Sequence, residues 1–332
     1  MVIHPWAWGI LALVAIGLVV IDFLGHARNP HPPTAAEAGR WTLFYVGLAA
    51  LFGVGIWLTN GWLYAQEFYA GWAMEWSLSV DNLFVFILIL KAFRVPRENQ
   101  QKALLLGIVI ALLLRLAFIL LGAALVSRFS WVFFNFGAWL LWTAVSQVRE
   151  TARGEEEDEE YHENGFIRLV RHVLPITDGF VGNRLLYRHG GHTYLTPLAV
   201  VVLALGSADL MFAFDSIPAI FGITQQAFLV FACNVFALMG LRQLFFLVDA
   251  LLSKLVYLGY GLGVILSFIG VKLILEALHA NTLPFINSGR GVEWAPNISV
   301  SVSLGVIVVT LAVTVVASLI RTAMDEGDAR ER

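Results

Sequence analysis

The chain has 332 residues, of which 59% are hydrophobic and only 14% charged, with a formal net charge of −3. A soluble domain carries roughly a quarter of its residues as charges. The proportions therefore exclude a disordered, collagen-like or nucleic-acid-binding chain and a water-soluble globule, and a pI near 6.2 gives no reason to expect a polyanionic partner.

A helix needs about 20 mostly apolar residues to cross the ~30 Å hydrocarbon layer. Nine segments of this kind are predicted, at roughly 6–24, 41–60, 71–92, 103–126, 130–149, 195–221, 226–248, 255–278 and 298–320. The first follows an N-terminus without Lys or Arg and precedes no small-x-small cleavage pattern, so it reads as a retained span. With the N-terminus outside, all but five of the 21 basic residues flank the spans on the inner side. Arg128 and Arg290 lie outside, and Arg115, Arg242 and Lys272 fall within spans, Lys272 reading as a side chain that snorkels to the outer surface. The asymmetry predicts a cytoplasmic C-terminus.

The one long polar stretch, 150–194, is then an inner loop. It opens with the acidic run Glu155–Glu160, which reads as a solvated segment, and closes with His189-Gly-Gly-His192. Two histidines without a third or fourth ligand nearby read as a surface turn, not a metal site. The single cysteine, Cys233, cannot form a disulfide within the chain.

An internal repeat organises the remainder. Glu75-Trp-Ser-Leu-Ser-Val-Asp81-Asn82 in the third span matches Asp209-Leu-Met-Phe-Ala-Phe-Asp215-Ser216 in the sixth: an acid, five residues, an aspartate and a small polar residue. The next span of each half carries one arginine, Arg115 or Arg242. The one after carries a glycine, Gly137 or Gly263, with Ala144 or Gly270 seven residues later. Three helices per repeat is an odd number, so the second copy must enter the membrane from the opposite face. This is the inverted-repeat plan of secondary transporters, with a site near the midplane. The predicted division is two N-terminal spans (1–60), a first three-helix repeat (61–149), a cytoplasmic acidic loop (150–194), a second repeat (195–279), and a last span with a cytoplasmic tail (280–332). The fold class is an all-α polytopic membrane protein.

Charges at membrane depth cost ~2.5–3.5 kcal/mol each and mark pathways or sites. Asp22, Glu75, Asp81, Asp209 and Asp215 lie within or at the ends of predicted spans, with Arg115 and Arg242. Carboxylates without neighbouring His or Cys suit a hard divalent cation, or protons. Residues six apart on an unbroken helix sit about 9 Å apart along the axis and ~120° around it. Glu75 and Asp81 therefore cannot both chelate one ion unless the helix breaks. Pro218 removes the donor for the Phe214 carbonyl, which makes that oxygen a candidate extra ligand. The arginines read either as charge balance for the acids or as fixed structural partners of them.

The two motifs, through Phe86 and Phe221, closely resemble the signature motifs of the TerC family, as do Asn234-Val-Phe-Ala-Leu-Met-Gly-Leu-Arg242 and Tyr260–Lys272. That family includes Alx-type manganese exporters and proteins tied to tellurium resistance. The resemblance implies a polytopic protein of the bacterial inner membrane that exports Mn²⁺. Its ligands would be Glu75, Asp81, Asp209 and Asp215, with Asn82 and Ser216 as neighbours. Alx-like members carry a glutamate three residues before the first aspartate of the second motif. Here that position is Gly206, followed by Ser207, whose hydroxyl is a partial substitute.

These readings predict export of a divalent ion, with proton counterflow and no permanently bound cofactor or nucleic-acid partner. The alternative is a non-transporting membrane scaffold acting in envelope stress, its acids locked to Arg115 and Arg242. An enzyme is not expected, because no nucleophile with a base partner, nucleotide-binding glycine loop or zinc motif is present.

Overall fold

The protein is described from a computed structural model covering residues 3–27, 35–129, 131–153, 167, 175–177, 179–189, 192–248, 255–279, 281, 286–287, 290–292 and 294–331. The acidic run Glu155–Glu160 and the side chains of Asp22, Asp81, His189, His192 and Arg242 lie outside the described residues.

The fold is a bundle of long helices: α1 (Pro5–Ala27), α2 (Ala35–Asn60), α3 (Trp62–Ala92), α4 (Arg97–Arg128) and α5 (Val132–Arg153), then α6 (Pro197–Phe221), α7 (Ala227–Val248), α8 (Leu258–His279) and α9 (Val300–Glu331). Five of them, α2, α4, α6, α8 and α9, contain segments long and apolar enough to cross a membrane. Large apolar side chains such as Leu13, Leu43, Leu58, Leu113 and Val313 stand exposed on the outer surface, as a lipid solvent permits.

Helix ends follow local chemistry. Gly61, at φ +98°, makes the corner between α2 and α3 in a conformation that disfavours a Cβ. Pro96 precedes α4, where a missing N–H costs nothing. Thr196 caps α6, accepting from the Ala199 amide at 3.4 Å ahead of Pro197. The helix boundaries differ from the sequence reading mainly in length: α3 starts at Trp62, well before residue 71, and α9 runs to Glu331.

The predicted polar loop contains a small antiparallel hairpin, β1 (Leu186–His189) with β2 (His192–Leu195), in which His189 pairs with His192 across a two-residue connection. Gly-Gly between alternating residues is itself a hairpin signal. The segment leading into it rests on the start of α4, where Asn99 and Lys102 donate to the carbonyls of Gly182 and Asn183.

Helix directions can be read from the contacts. The Cys233 thiol donates to the Phe68 carbonyl, and Gly240 lies against Trp76, so α3 and α7 run parallel. Gly107 meets Leu205 and Gly122 meets Phe221, so α4 and α6 also run parallel. α3 and α6 cross antiparallel, with Gly71 near Ile220 and Thr224 bonded to Glu67. α5 and α8 pack antiparallel backbone to backbone. A Cβ on Gly137 would sit 2.8 Å from the Gly270 carbonyl, and one on Gly270 would sit 3.0 Å from the Gly137 carbonyl. At the other end of this seam Gly263 approaches the Ala144 carbonyl.

Pro218 does not break α6, which continues to Phe221 and ends on Gly222, whose amide returns to the Pro218 carbonyl. Lys272 departs from the predicted snorkelling. It is only 6% exposed and donates to Ser303 of α9 at 3.1 Å, because α9 covers this face of α8 and supplies a hydroxyl closer than the surface.

Gly270→Val is expected to pry α5 from α8, since the new atoms meet backbone that cannot change rotamer. The cost should be about 1–3 kcal/mol, read as a lowered thermal midpoint of the purified protein in detergent. Val264→Ala, at an exposed position on the same helix, should have little effect.

Candidate functional site

The centre of the bundle holds one arginine and two acids drawn from three helices. Arg115 of α4, Glu75 of α3 and Asp209 of α6 are all 0% exposed. Each sits near the middle of its helix and therefore far from either end of the bundle. The guanidinium grips Asp209 through a two-pronged fork, Nε to Oδ2 at 2.7 Å and Nη2 to Oδ1 at 3.0 Å. Its Nη1 donates to Glu75 Oε1, to Asn234 Oδ1 of α7 at 2.6 Å and to Ser216 Oγ at 3.2 Å. Asn234 is oriented by its own amide, which donates to the Val230 carbonyl at 2.9 Å.

Of the two readings of the arginines, Arg115 fits the structural one in this conformation, since it is paired to both acids. Removing one member of such a group leaves an uncompensated buried charge, whereas removing all the charges together does not.

The spacing argument fixes where the other aspartate goes. Asp209 and Ser216 are seven residues apart and share the inward face of α6, while Asp215 points elsewhere. The Asp215 carboxylate accepts from Trp139 Nε1 at 2.6 Å and Thr143 Oγ1 at 3.1 Å, two α5 residues one turn apart. These groups line a cavity of about 360 Å³ between α3, α5, α6 and α8. It reaches from Gln147 and Glu150, near the end of α5, to Asp215 and Asn82, with Leu78, Phe212, Leu262 and Leu266 as apolar walls.

The structure thus brings together Glu75, Asp209, Arg115, Ser216 and Asn234, and places Asp215 and Asn82 together on the cavity. Among the described residues, the candidates Phe214 and Ser207 lie apart from the cluster. The Phe214 side chain is exposed and packs edge-on against Phe118, its ring centroid 5.0 Å away. Ser207 donates to the Ala204 carbonyl of its own helix. At Gly206 an added Cβ would sit 2.8 Å from Ile110 of α4, so this position serves close helix packing. Among the described residues, no three His, Cys, Asp or Glu side chains are grouped so as to hold a metal ion.

Sequence reasoning missed Trp139 and Thr143, having read tryptophans as lipid-facing or interfacial. The available signal was their four-residue spacing, which puts both on one face of α5. It also missed a polar tie at the opposite end of the bundle, where Thr224 donates to Glu67 at 2.5 Å and Gln225 to Glu276 at 2.7 Å.

Long apolar helices around a sealed charged cluster, with lipid-compatible side chains on the outside, define an integral membrane protein. The chain belongs to the integral membrane protein TerC family, which matches residues 60–326. An uncharacterized membrane protein of Mycobacterium tuberculosis is 45% identical over 311 residues, covering 94% of this chain and 78% of its own. The chloroplastic thylakoid membrane protein TERC of Arabidopsis thaliana is 38% identical, covering 84% and 68%. An Escherichia coli protein named as a membrane-bound redox modulator, Alx, is 34% identical, covering 93% of each chain. No solved structure matches the chain.

Arg115→Met should destabilise the protein by about 3–5 kcal/mol by stranding two buried carboxylates. Adding Glu75→Gln and Asp209→Asn to it should recover most of that loss, as thermal unfolding of the three purified proteins would measure.

Proposed function

We propose that this chain exports a divalent metal cation, manganese foremost, across the bacterial inner membrane in exchange for protons, through a carboxylate site at mid-bilayer. The observation that carries the reading is the convergence of Glu75 and Asp209, the first acids of two matched motifs, on one buried point, while Asp215 lines a cavity beside it. Carboxylate, amide and hydroxyl oxygens are the donors a hard cation takes. In this reading Arg115 is the resting counter-ion, which the arriving cation replaces. Asp81, next to Asn82, belongs to the ligand set, and Asp22 and Arg242 to its surroundings.

Two inverted repeats, residues 61–149 and 195–279, account for the helix directions. The motif comparison matches Gly137 with Gly263 and Ala144 with Gly270. In space Gly137 meets Gly270 and Ala144 meets Gly263, which is the reciprocal pairing expected of a two-fold axis in the membrane plane. Likewise α3 pairs with α7 as α6 pairs with α4, both parallel. We read all nine long helices as spans, with the N-terminus outside and the C-terminus cytoplasmic. The Glu150 end of the cavity then opens toward the cytoplasm, and the Glu67–Thr224 and Glu276–Gln225 ties close the outer end.

A second reading, a non-transporting membrane assembly partner, is favoured by the pairing of both acids with Arg115. The two diverge in inverted membrane vesicles carrying a metal-sensitive dye. Asp209→Asn and Asp215→Asn should each lower the initial Mn²⁺ rate by ~10-fold, about 1.4 kcal/mol of barrier, at equal protein level. Unchanged flux in both would overturn export through these residues. A parent without Mn²⁺ flux, together with an Asp209→Asn, Arg115→Gln pair that keeps the parental thermal midpoint, would favour the assembly role.

A further inference from the structure

The buried acids and the cavity are not yet connected: the cavity stops at Leu78 and Asn82, while Glu75 is one turn deeper and sealed. Between them lie buried polar atoms that no protein group satisfies. On α3, Glu75 Oε2 and Ser79 Oγ have no hydrogen-bond partner, and on α7 neither Oε1 nor Nε2 of Gln243 has one. Glu75, Ser79 and Gln243 are all 0% exposed.

Helix spacing sets these residues along the α3–α7 interface. Trp76 Nε1 meets Gly240 across the parallel α3–α7 pair. Ser79 follows Trp76, and Gln243 follows Gly240, by three residues each, which carries both about one turn onward along this pair to a matching depth. Ser79 also stands one turn from Glu75 on one side and one turn from Asn82, at the cavity wall, on the other. The motif match puts Ala213 and Leu116 at the equivalent places in the other half, so this polar step exists on one side only.

An unsatisfied buried amide is costly, and native proteins keep few. Those they keep are commonly met by water or an ion where several polar groups converge. We propose that Ser79 and Gln243 form a hydrated step joining the Asn82 end of the cavity to Glu75, the route by which a cation or proton reaches the Glu75–Arg115–Asp209 cluster. Gln243 supplies a carbonyl oxygen to an ion shedding water and an N–H to the water left behind, and Ser79 bridges to the free Glu75 oxygen. This assignment rests on the transport reading of the same cluster.

The test separates stability from passage and does not depend on the identity of the ion. In a Cys233→Ala background, Ser79→Cys should react with a small cationic methanethiosulfonate reagent, while Leu83→Cys, equally buried in apolar packing, should not. Gln243→Leu and Gln243→Met should keep or raise the thermal midpoint, since each removes an unpartnered amide, yet lower the initial Mn²⁺ rate about tenfold. An unreactive Ser79→Cys, or parental flux in both Gln243 variants, overturns the step. A labelled Ser79→Cys in a protein whose parent moves no Mn²⁺ keeps the hydrated step and rejects the metal reading alone.

Discussion

One guanidinium holds the middle of this molecule together. Arg115 reaches Asp209, Glu75, Ser216 and Asn234 at once, so a single side chain of α4 ties it to α3, α6 and α7. In a medium that solvates charge poorly, two acids at mid-depth are costly, and a cation with five fixed donors facing them offsets that cost.

The division between Asp209 and Asp215 follows from helix geometry. Six residues along α6 turn the second aspartate away from the first, into the space beside α5, where Trp139 and Thr143 fix its carboxylate. Two acids from one short motif thus serve two environments, one buried and paired through both carboxylate oxygens, the other on the wall of an open volume. The proposed passage between them runs along α3, where Glu75, Ser79 and Asn82 follow one another at successive turns.

The positions of the helices were legible because apolar length is a strong signal, and Glu75, Asp209 and Arg115 stood out because charge is rare at that depth. Their partnership was only half legible. Sequence matched Arg115 with Arg242 but could not say which acids Arg115 would reach, since that depends on α4 lying parallel to α6. Lys272 was misread because its neighbour, Ser303, comes from a helix more than 30 residues away in sequence. Trp139 was invisible as a site residue because one aromatic among 11 tryptophans carries no positional mark. At 186–195 the turn between His189 and His192 was read from the sequence, but the short strands on either side of it were not, because four-residue strands leave little alternation to detect.

The seam between α5 and α8 has a mechanical consequence. Where Gly137 faces Gly270 and Gly263 approaches Ala144, backbone comes close to backbone, and Ile274, Leu141 and Val148 fill the hollows the glycines leave. Two rods meshed this closely cannot slide without repacking those side chains, so α5 and α8 behave as one unit. The charged knot around Arg115 clamps α3, α4, α6 and α7 separately. A protein built this way is fastened twice, by electrostatics at its centre and by shape along the seam, so loosening the knot alone would leave the seam intact.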